Sequence, residues 1–406
     1  MSQTEAESIV TFEKLKQGEL NQGEAAKLLG LSLRQVKRKL KAYRKDGVRA
    51  LVHGARGKPG NRQLPQSLKA EAVQLVRERY ADFGPSFASE KLASLHGIRI
   101  NRETLRLLMA ADGIWQPRRQ KSGETHEWRP RRECRGELVQ LDGSHHAWFE
   151  GRAPKCCLLA FIDDATSELL WAEFCDGEST ENLLLATWHY LEQYGRPLSL
   201  YTDRGGVYKV NLGNEEDDRV TQYGRSLQDL HIGLIHARSP QAKGRVERLF
   251  GTLQDRLVKE LRLAGISDIA QANRFLRETY LPQHNAKFAV PAKSPTDLHR
   301  SLGSFDLAHS LSLREERTLT PDRCLRYKNR WLQLQPKQPR ILSRKEQIEV
   351  REHLDGNLHL WLRGAELSFQ ELTARPTARP LPAPVRPASR AVKPTAKAGS
   401  RAFLFA

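Results

Sequence analysis

The chain reads as a multidomain protein: helical units at the amino end, an α/β core in the middle, short β-prone runs beyond it and a basic tail. Three observations predict this. Two apolar strand patterns, LVQLDGS and LSLYTD, carry Asp142 and Asp203, and a later helix carries Glu247. Ahead of them lie helices with capping signals and a basic face. Behind them, four β-prone runs are separated by turn residues.

The first element pattern is helical near Glu5–Lys16, Gly23–Leu29 and Leu33–Lys45. Asn21 with Glu24, and Ser32 with Gln35, have the spacing of capping boxes, and Gly30 supplies the corner between the second and third helices. Leu33, Val36, Leu40 and Tyr43 define one face of the third helix; Arg34, Lys37, Arg38, Lys41 and Lys45 define the other. Residues 1–53 therefore read as a helix-turn-helix whose last helix presents Arg34, Lys37, Arg38 and Lys41 to phosphates and base edges. A solvated basic helix surface is the plainer alternative.

GARGKPGNRQLP is a Gly/Pro linker. A second helical unit, residues 66–115, follows with helices at Ser67–Tyr80, Phe87–Leu95 and Arg102–Ala111, the last capped by Asn101. Leu105, Leu108 and Met109 mark its inner side, leaving Arg102 and Arg106 for DNA if this is a second helix-turn-helix rather than a connecting bundle. Residues 116–136 form a basic linker with Arg118, Arg119, Lys121, Arg129, Arg131, Arg132, Arg135 and Trp128, either a strap along phosphates or a solvated connection.

The core, residues 137–303, begins with the Asp142 strand. KCCLLAFI is a buried central strand, and Asp163, Asp164 and Ala165 make its turn into SELLWAEF. A helix over Glu178–Tyr194, the strand ending at Asp203 and a strand over His231–Arg238 lead to the Glu247 helix, where Val246, Leu249, Phe250, Leu253 and Leu257 recur at helical spacing. The acidic run Glu215–Asp218 reads as a solvated insertion loop. Past the core, residues 306–373 hold β-prone runs at Arg323–Tyr327, Arg330–Leu334, Gln347–Arg351 and Leu358–Leu362, with turns at Lys328-Asn329 and Asp355-Gly356. Residues 374–406, rich in Pro, Ala and basic side chains, read as a disordered tail able to hold DNA nonspecifically.

The 406 residues carry a formal charge of +18 and a pI near 9.8, which points to a polyanionic partner. Neither a membrane-length apolar stretch nor a signal-peptide pattern is present, so a soluble, cytoplasmic protein is expected. Five cysteines without CxxC spacing give no expectation of disulfides or structural zinc.

Three carboxylates gathered within a few ångström repel by roughly 4 kcal/mol per pair at an effective dielectric of about 20. A fold that collects Asp142, Asp203 and Glu247 therefore supplies cations, and an all-oxygen donor set suits Mg²⁺, with Mn²⁺ as substitute. Two such ions activate a water or 3′-hydroxyl and stabilise a leaving oxygen. Taken singly, each residue also fits a bland role: an Asp after a strand forms turns or caps, and Glu247 can pair with Lys243 one helical turn away.

From Arg135 to Leu302, the motifs GELVQLDGSHHAWFE, FIDDATSELLWAEF, LYTDRGGVY and HARSPQAKGRVERLFGTLQDRLVKELRLAGI resemble the catalytic core of DDE-type insertion-sequence transposases. Within these the chain is most similar to the ISNCY group, relatives of retroviral integrase. The resemblance implies an RNase H-like core, a small β-barrel after it, and Asp142, Asp203 and Glu247 as a catalytic, metal-binding triad holding two ions. It further implies that Lys243, Arg245 and Arg248 contact phosphates near the cleaved bond; as ordinary charges they would instead pair with Glu247. The partners implied are double-stranded transposon ends and target DNA in a bacterial nucleoid, with the protein acting as a homo-oligomer. A DNA-binding regulator with a silent core is the alternative from another functional class. Gly205 and Gly206 depart from the bulkier polar residues of related sequences, and the interval between Asp203 and Glu247 is longer than the spacing that names the superfamily. The cysteine pattern also lacks the zinc-binding amino-terminal module of retroviral integrases.

Overall fold

The computed structural model describes residues 3–52, 56, 63–117, 130–203, 220–237, 244–343 and 345–374. Two compact units divide the chain, residues 1–123 and 124–406. In the first, α1 (Gln3–Gln17), α2 (Gln22–Leu29) and α3 (Leu33–Asp46) close around Phe12, Ala25, Val36, Leu40 and Tyr43. Both expected capping boxes form: Asn21 accepts from the Gly23 and Glu24 amides, and Ser32 accepts from the Gln35 amide. Gly30 turns the corner at φ 62°, a left-handed conformation that costs glycine nothing. Leu33 is the exception to the predicted inner face. It stands 53% exposed at the first position of α3.

Helices α4 (Gln66–Arg79), α5 (Pro85–His96) and α6 (Arg102–Ala111) enclose their own core of Val76, Tyr80, Phe83, Phe87, Leu92, Leu105 and Met109. Pro85 starts α5, where its missing amide would have had no helical partner anyway. Asn101 caps α6 as its sequence signal requires.

The second unit is built on a five-stranded sheet of β1 (Leu138–His146), β2 (Cys156–Asp163), β3 (Leu169–Cys175), β4 (Ser199–Thr202) and β5 (Gly233–His236) in the order β3-β2-β1-β4-β5. The first three strands form an antiparallel meander; β4 lies parallel to β1, and β5 parallel to β4. Helices cover both faces. On one, α7 (Thr180–Tyr194) and α8 (Gln222–Asp229) pack on Val139, Leu141, Leu159, Phe161 and Leu200. On the other, α9 (Gly244–Leu263), α10 (Ile269–Phe275), a π-helical turn at Leu276–Tyr280 and α11 (Leu281–Phe288) cover Leu158, Ala160 and Ile162. β2 is buried at every position, as its unbroken apolar run requires. This is the mixed α/β core expected from the sequence.

A short helix, α12 (Leu307–Ser310), leads to two antiparallel sheets. One contains β6 (Leu313–Thr318), β9 (Gln347–Glu352), β10 (Leu358–Leu362) and β11 (Ala365–Leu367); the other, β7 (Cys324–Tyr327), β8 (Arg330–Leu334) and β12 (Phe369–Leu372). Both bury their apolar sides in one cluster around Leu325, Tyr327, Leu332, Ile348, Val350 and Leu360. Lys328 and Asn329 both adopt positive φ, the geometry of a two-residue hairpin turn. The acidic insertion, Gly205, Gly206 and the tail lie outside the described residues.

Candidate active site

Register sets the two aspartates on one face of the sheet. β1 and β4 pair Leu138 with Ser199, Val139 with Leu200 and Gln140 with Tyr201. The pairing ends there, and Asp142 on β1 and Asp203, immediately after β4, each follow its last pair by two residues. Equal offsets from a pair of parallel strand residues put two side chains on the same face of the sheet. The face is identified by neighbours: Asp142 pairs across β2 with Ala160, which belongs to the cluster under α9.

Two contacts fix α9 along β1. At its start, Arg245 donates to Asp164 Oδ1 at 2.8 Å, and the same oxygen accepts from Gln140 Nε2 at 2.7 Å. Further along, Gln254 Nε2 donates to Ser144 Oγ at 3.1 Å. From Arg245 to Gln254 the helix rises about 13 Å, and from Gln140 to Ser144 the strand advances about 13 Å. Helix and strand therefore run side by side in the same direction. Asp142 lies between the two strand anchors and Glu247 between the two helix anchors. Glu247 is exposed, while Asp142 and Asp203 are half-buried at the sheet surface.

Asp163 and Asp164 make the β2–β3 turn, as expected, and do more. Both are completely buried. Asp163 accepts from the Gly136 and Thr166 amides and the Thr166 hydroxyl; Asp164 accepts from Gln140, Arg245 and the Arg132 amide. Sequence alone shows the turn but not this network, because its donors come from distant segments.

Among the proposed DNA contacts, Arg34, Lys37, Arg38 and Lys41 are all exposed on α3, and Arg102 is exposed on α6. Arg106 instead forms a bidentate pair with Glu103 and lies over the Trp115 ring. Arg245 departs from its predicted role. Its side chain is 15% exposed and turned inward to a buried carboxylate, since Asp164 needs a cation that solvent cannot replace. Arg248 is exposed beside Glu247, and Lys243 lies outside the described residues. The linker arginines are also committed: Arg131 donates to Asp164 O, Ala165 O and Ser167 Oγ, Arg132 pairs with Glu137, and Arg135 pairs with Glu168 and Asp297. That end of the linker is stitched to the core rather than laid along phosphates; Trp128 lies outside the described residues.

The family described as winged helix-turn helix matches residues 14–70. Over 373 residues the chain is 38% identical to "Putative transposase y4bF" of Sinorhizobium fredii, covering 91% of this chain and 81% of that protein. It is 30% identical over 404 residues to the transposase for insertion sequence IS1202 of Streptococcus pneumoniae, covering 88% of this chain and 84% of that one. The chain belongs to the insertion-sequence transposases. Among solved structures, the transposase is similar to a simian T-cell lymphotropic virus intasome chain at 16% identity and a TM-score of 0.33, covering 74% of this chain and 95% of that one. It is also similar to the HTLV-2 integrase catalytic core at 18% identity and a TM-score of 0.30, covering 41% and 98%. The strand order β3-β2-β1-β4-β5 defines the core's topology independently of those two likenesses. Among the described residues of the transposase, no helix is long and apolar enough to cross a membrane.

Proposed function

We propose that this transposase binds transposon ends, nicks them by water attack and joins the resulting 3′-hydroxyl to target DNA. The observation that carries the reading is the pair Asp142 and Asp203, on the sheet face along which the Glu247 helix runs. Its donor set is entirely carboxylate, which fits a hard divalent cation and disfavours a soft one. Asp142, Asp203 and Glu247 would hold Mg²⁺, two ions per site, with Mn²⁺ as substitute. Bound there, the metal supplies activation of the attacking oxygen and charge stabilisation of the leaving one.

The chain's own contribution is placement. β1 fixes Asp142 by its pairing with β2 opposite Ala160; Asp164 anchors the first turn of α9 and with it Glu247; and Arg248 brings positive charge beside Glu247 for a phosphate. Residues 1–53 and 66–115 are the proposed end-reading units, residues 137–303 the catalytic segment and 306–373 an accessory β unit. Joining two ends requires one active site at each, which favours at least a dimer on DNA.

The test is Asp142→Asn, Asp203→Asn and Glu247→Gln, each preserving shape while removing charge. End binding by gel shift should survive, whereas cleavage and joining of a pre-nicked end should vanish. Wild-type joining by any one of the three would remove that residue from the triad.

A further inference from the structure

The opposite face of β1 carries a second donor cluster, unlike the first in chemistry. His145 pairs across the ladder with Cys157, and Cys157 pairs in turn with Cys175, so an imidazole and two thiols form one row across β1, β2 and β3. The Glu178 carboxylate, from the segment entering α7, folds over this row. One donor atom each from His145, Cys157 and Glu178 lies within 4.8 Å of the others.

Gly143 makes the room. A Cβ at that position would stand 2.9 Å from Glu178 Oε2 and 3.2 Å from Cys157 Sγ. The Gly143 backbone does not require positive φ, so its missing side chain serves close approach alone. Glu178 also lines a surface pocket with Asp176, Gly177, Ser179, Glu181 and Asn182, and His145 is itself exposed.

We propose that His145, Cys157 and Glu178 bind a zinc-class divalent cation. Nitrogen, sulfur and oxygen donors together favour a borderline-soft ion over Mg²⁺, separating this site chemically from the acidic pair on the other face. With metal–ligand bonds of about 2.0–2.3 Å, tetrahedral donors sit roughly 3.5 Å apart, so from separations of at most 4.8 Å the side chains need close by no more than about 1.3 Å. Cys157 binds as thiolate and its proton leaves to solvent. Three protein ligands leave a fourth position for water or for Cys175, whose Sγ now donates to the Gly177 carbonyl at 3.2 Å. Paired cysteine spacing does not reveal this site, because its ligands come from three separate segments. Its structural effect is a crosslink between the β1–β2 ladder and the entrance to α7, made over Gly143, the residue that follows Asp142.

Cobalt titration of the full-length protein tests the proposal, since only a thiolate ligand produces the sulfur-to-cobalt charge-transfer band. The wild type should show that band at one equivalent, and excess zinc should abolish it. Cys157→Ser should lose the band where water is the fourth ligand and at least half its intensity where Cys175 is, and the surface substitution His145→Ala should weaken cobalt binding by about tenfold or more. Asp142→Asn and Asp203→Asn should leave the band intact, so failure of the acidic-triad reading would not touch this result. Cobalt binding without the band in the wild type, an unchanged band in Cys157→Ser, or unchanged affinity in His145→Ala would each overturn the assignment.

Discussion

Arg245→Met is expected to destabilise the α/β core rather than simply weaken DNA binding. Asp164 is fully buried, and the substitution removes the guanidinium that donates to it at 2.8 Å, leaving Gln140 Nε2 at 2.7 Å and the Arg132 amide at 2.9 Å. Breaking a buried ion pair from one side costs about 3–5 kcal/mol. Hydrogen bonds that survive, these two among them, place this case near the lower end, about 3 kcal/mol. In a cooperative unit of this size each kcal/mol moves the melting temperature by roughly 2–4 °C, so a fall of roughly 6–12 °C should appear by calorimetry. Asp164→Asn in the same chain should restore much of it, because the amide keeps polar contacts without a stranded charge. An unchanged melting temperature together with lost end affinity would refute the argument and return Arg245 to the DNA surface.

Replacing Arg34 and Arg38 together with Ala should reduce end binding several-fold and flatten its salt dependence by about 0.9 for each phosphate no longer neutralised. Melting should be unaffected, as both side chains are exposed; unchanged binding would transfer recognition to the α6 surface around Arg102. His284 supplies an acid sensitivity of different origin. Burial, aided by the positive charge of Arg256, pushes its imidazole down to about 4. The unfolded chain takes up this proton near pH 6.5 while the folded chain resists, so stability is full above that pH and falls on acidification toward pH 4. The loss is about 3 kcal/mol at most, and His284→Gln should show a smaller drop in melting temperature between pH 7 and pH 5 than the wild type; equal drops would exclude this histidine as the source.

Local rules carry furthest where structure is local. Asn21–Glu24 and Ser32–Gln35 satisfy each other within one turn, so their helices are legible from adjacent residues. β6 is not: its sequence LREERT is dominated by charge and becomes a strand through six paired positions along β9. Arg245 shows the same limit within the site. The resemblance assigns it to a phosphate, whereas a carboxylate from the distant β2–β3 turn holds its side chain. The acidic pair is legible as two strand-associated residues, but their common face depends on a β1–β4 register that no local motif encodes.

The two aspartates do not have equal mechanical support. Asp142 lies inside nine-residue β1, in a central strand that pairs with β2 along its length and with β4 over Leu138–Gln140. Asp203 follows four-residue β4, whose outer neighbour β5 is equally short and forms the sheet's edge; the His236 ring lies 3.2 Å from the Asp203 carbonyl. Short edge segments open at lower free energy than a central strand. Amide exchange in β1 should therefore follow global unfolding, while β4 and β5 exchange through a smaller, separate opening that displaces one carboxylate and spares the other. Weakening β5 would then tune the assembly of the acidic pair from a distance, without altering any acidic residue.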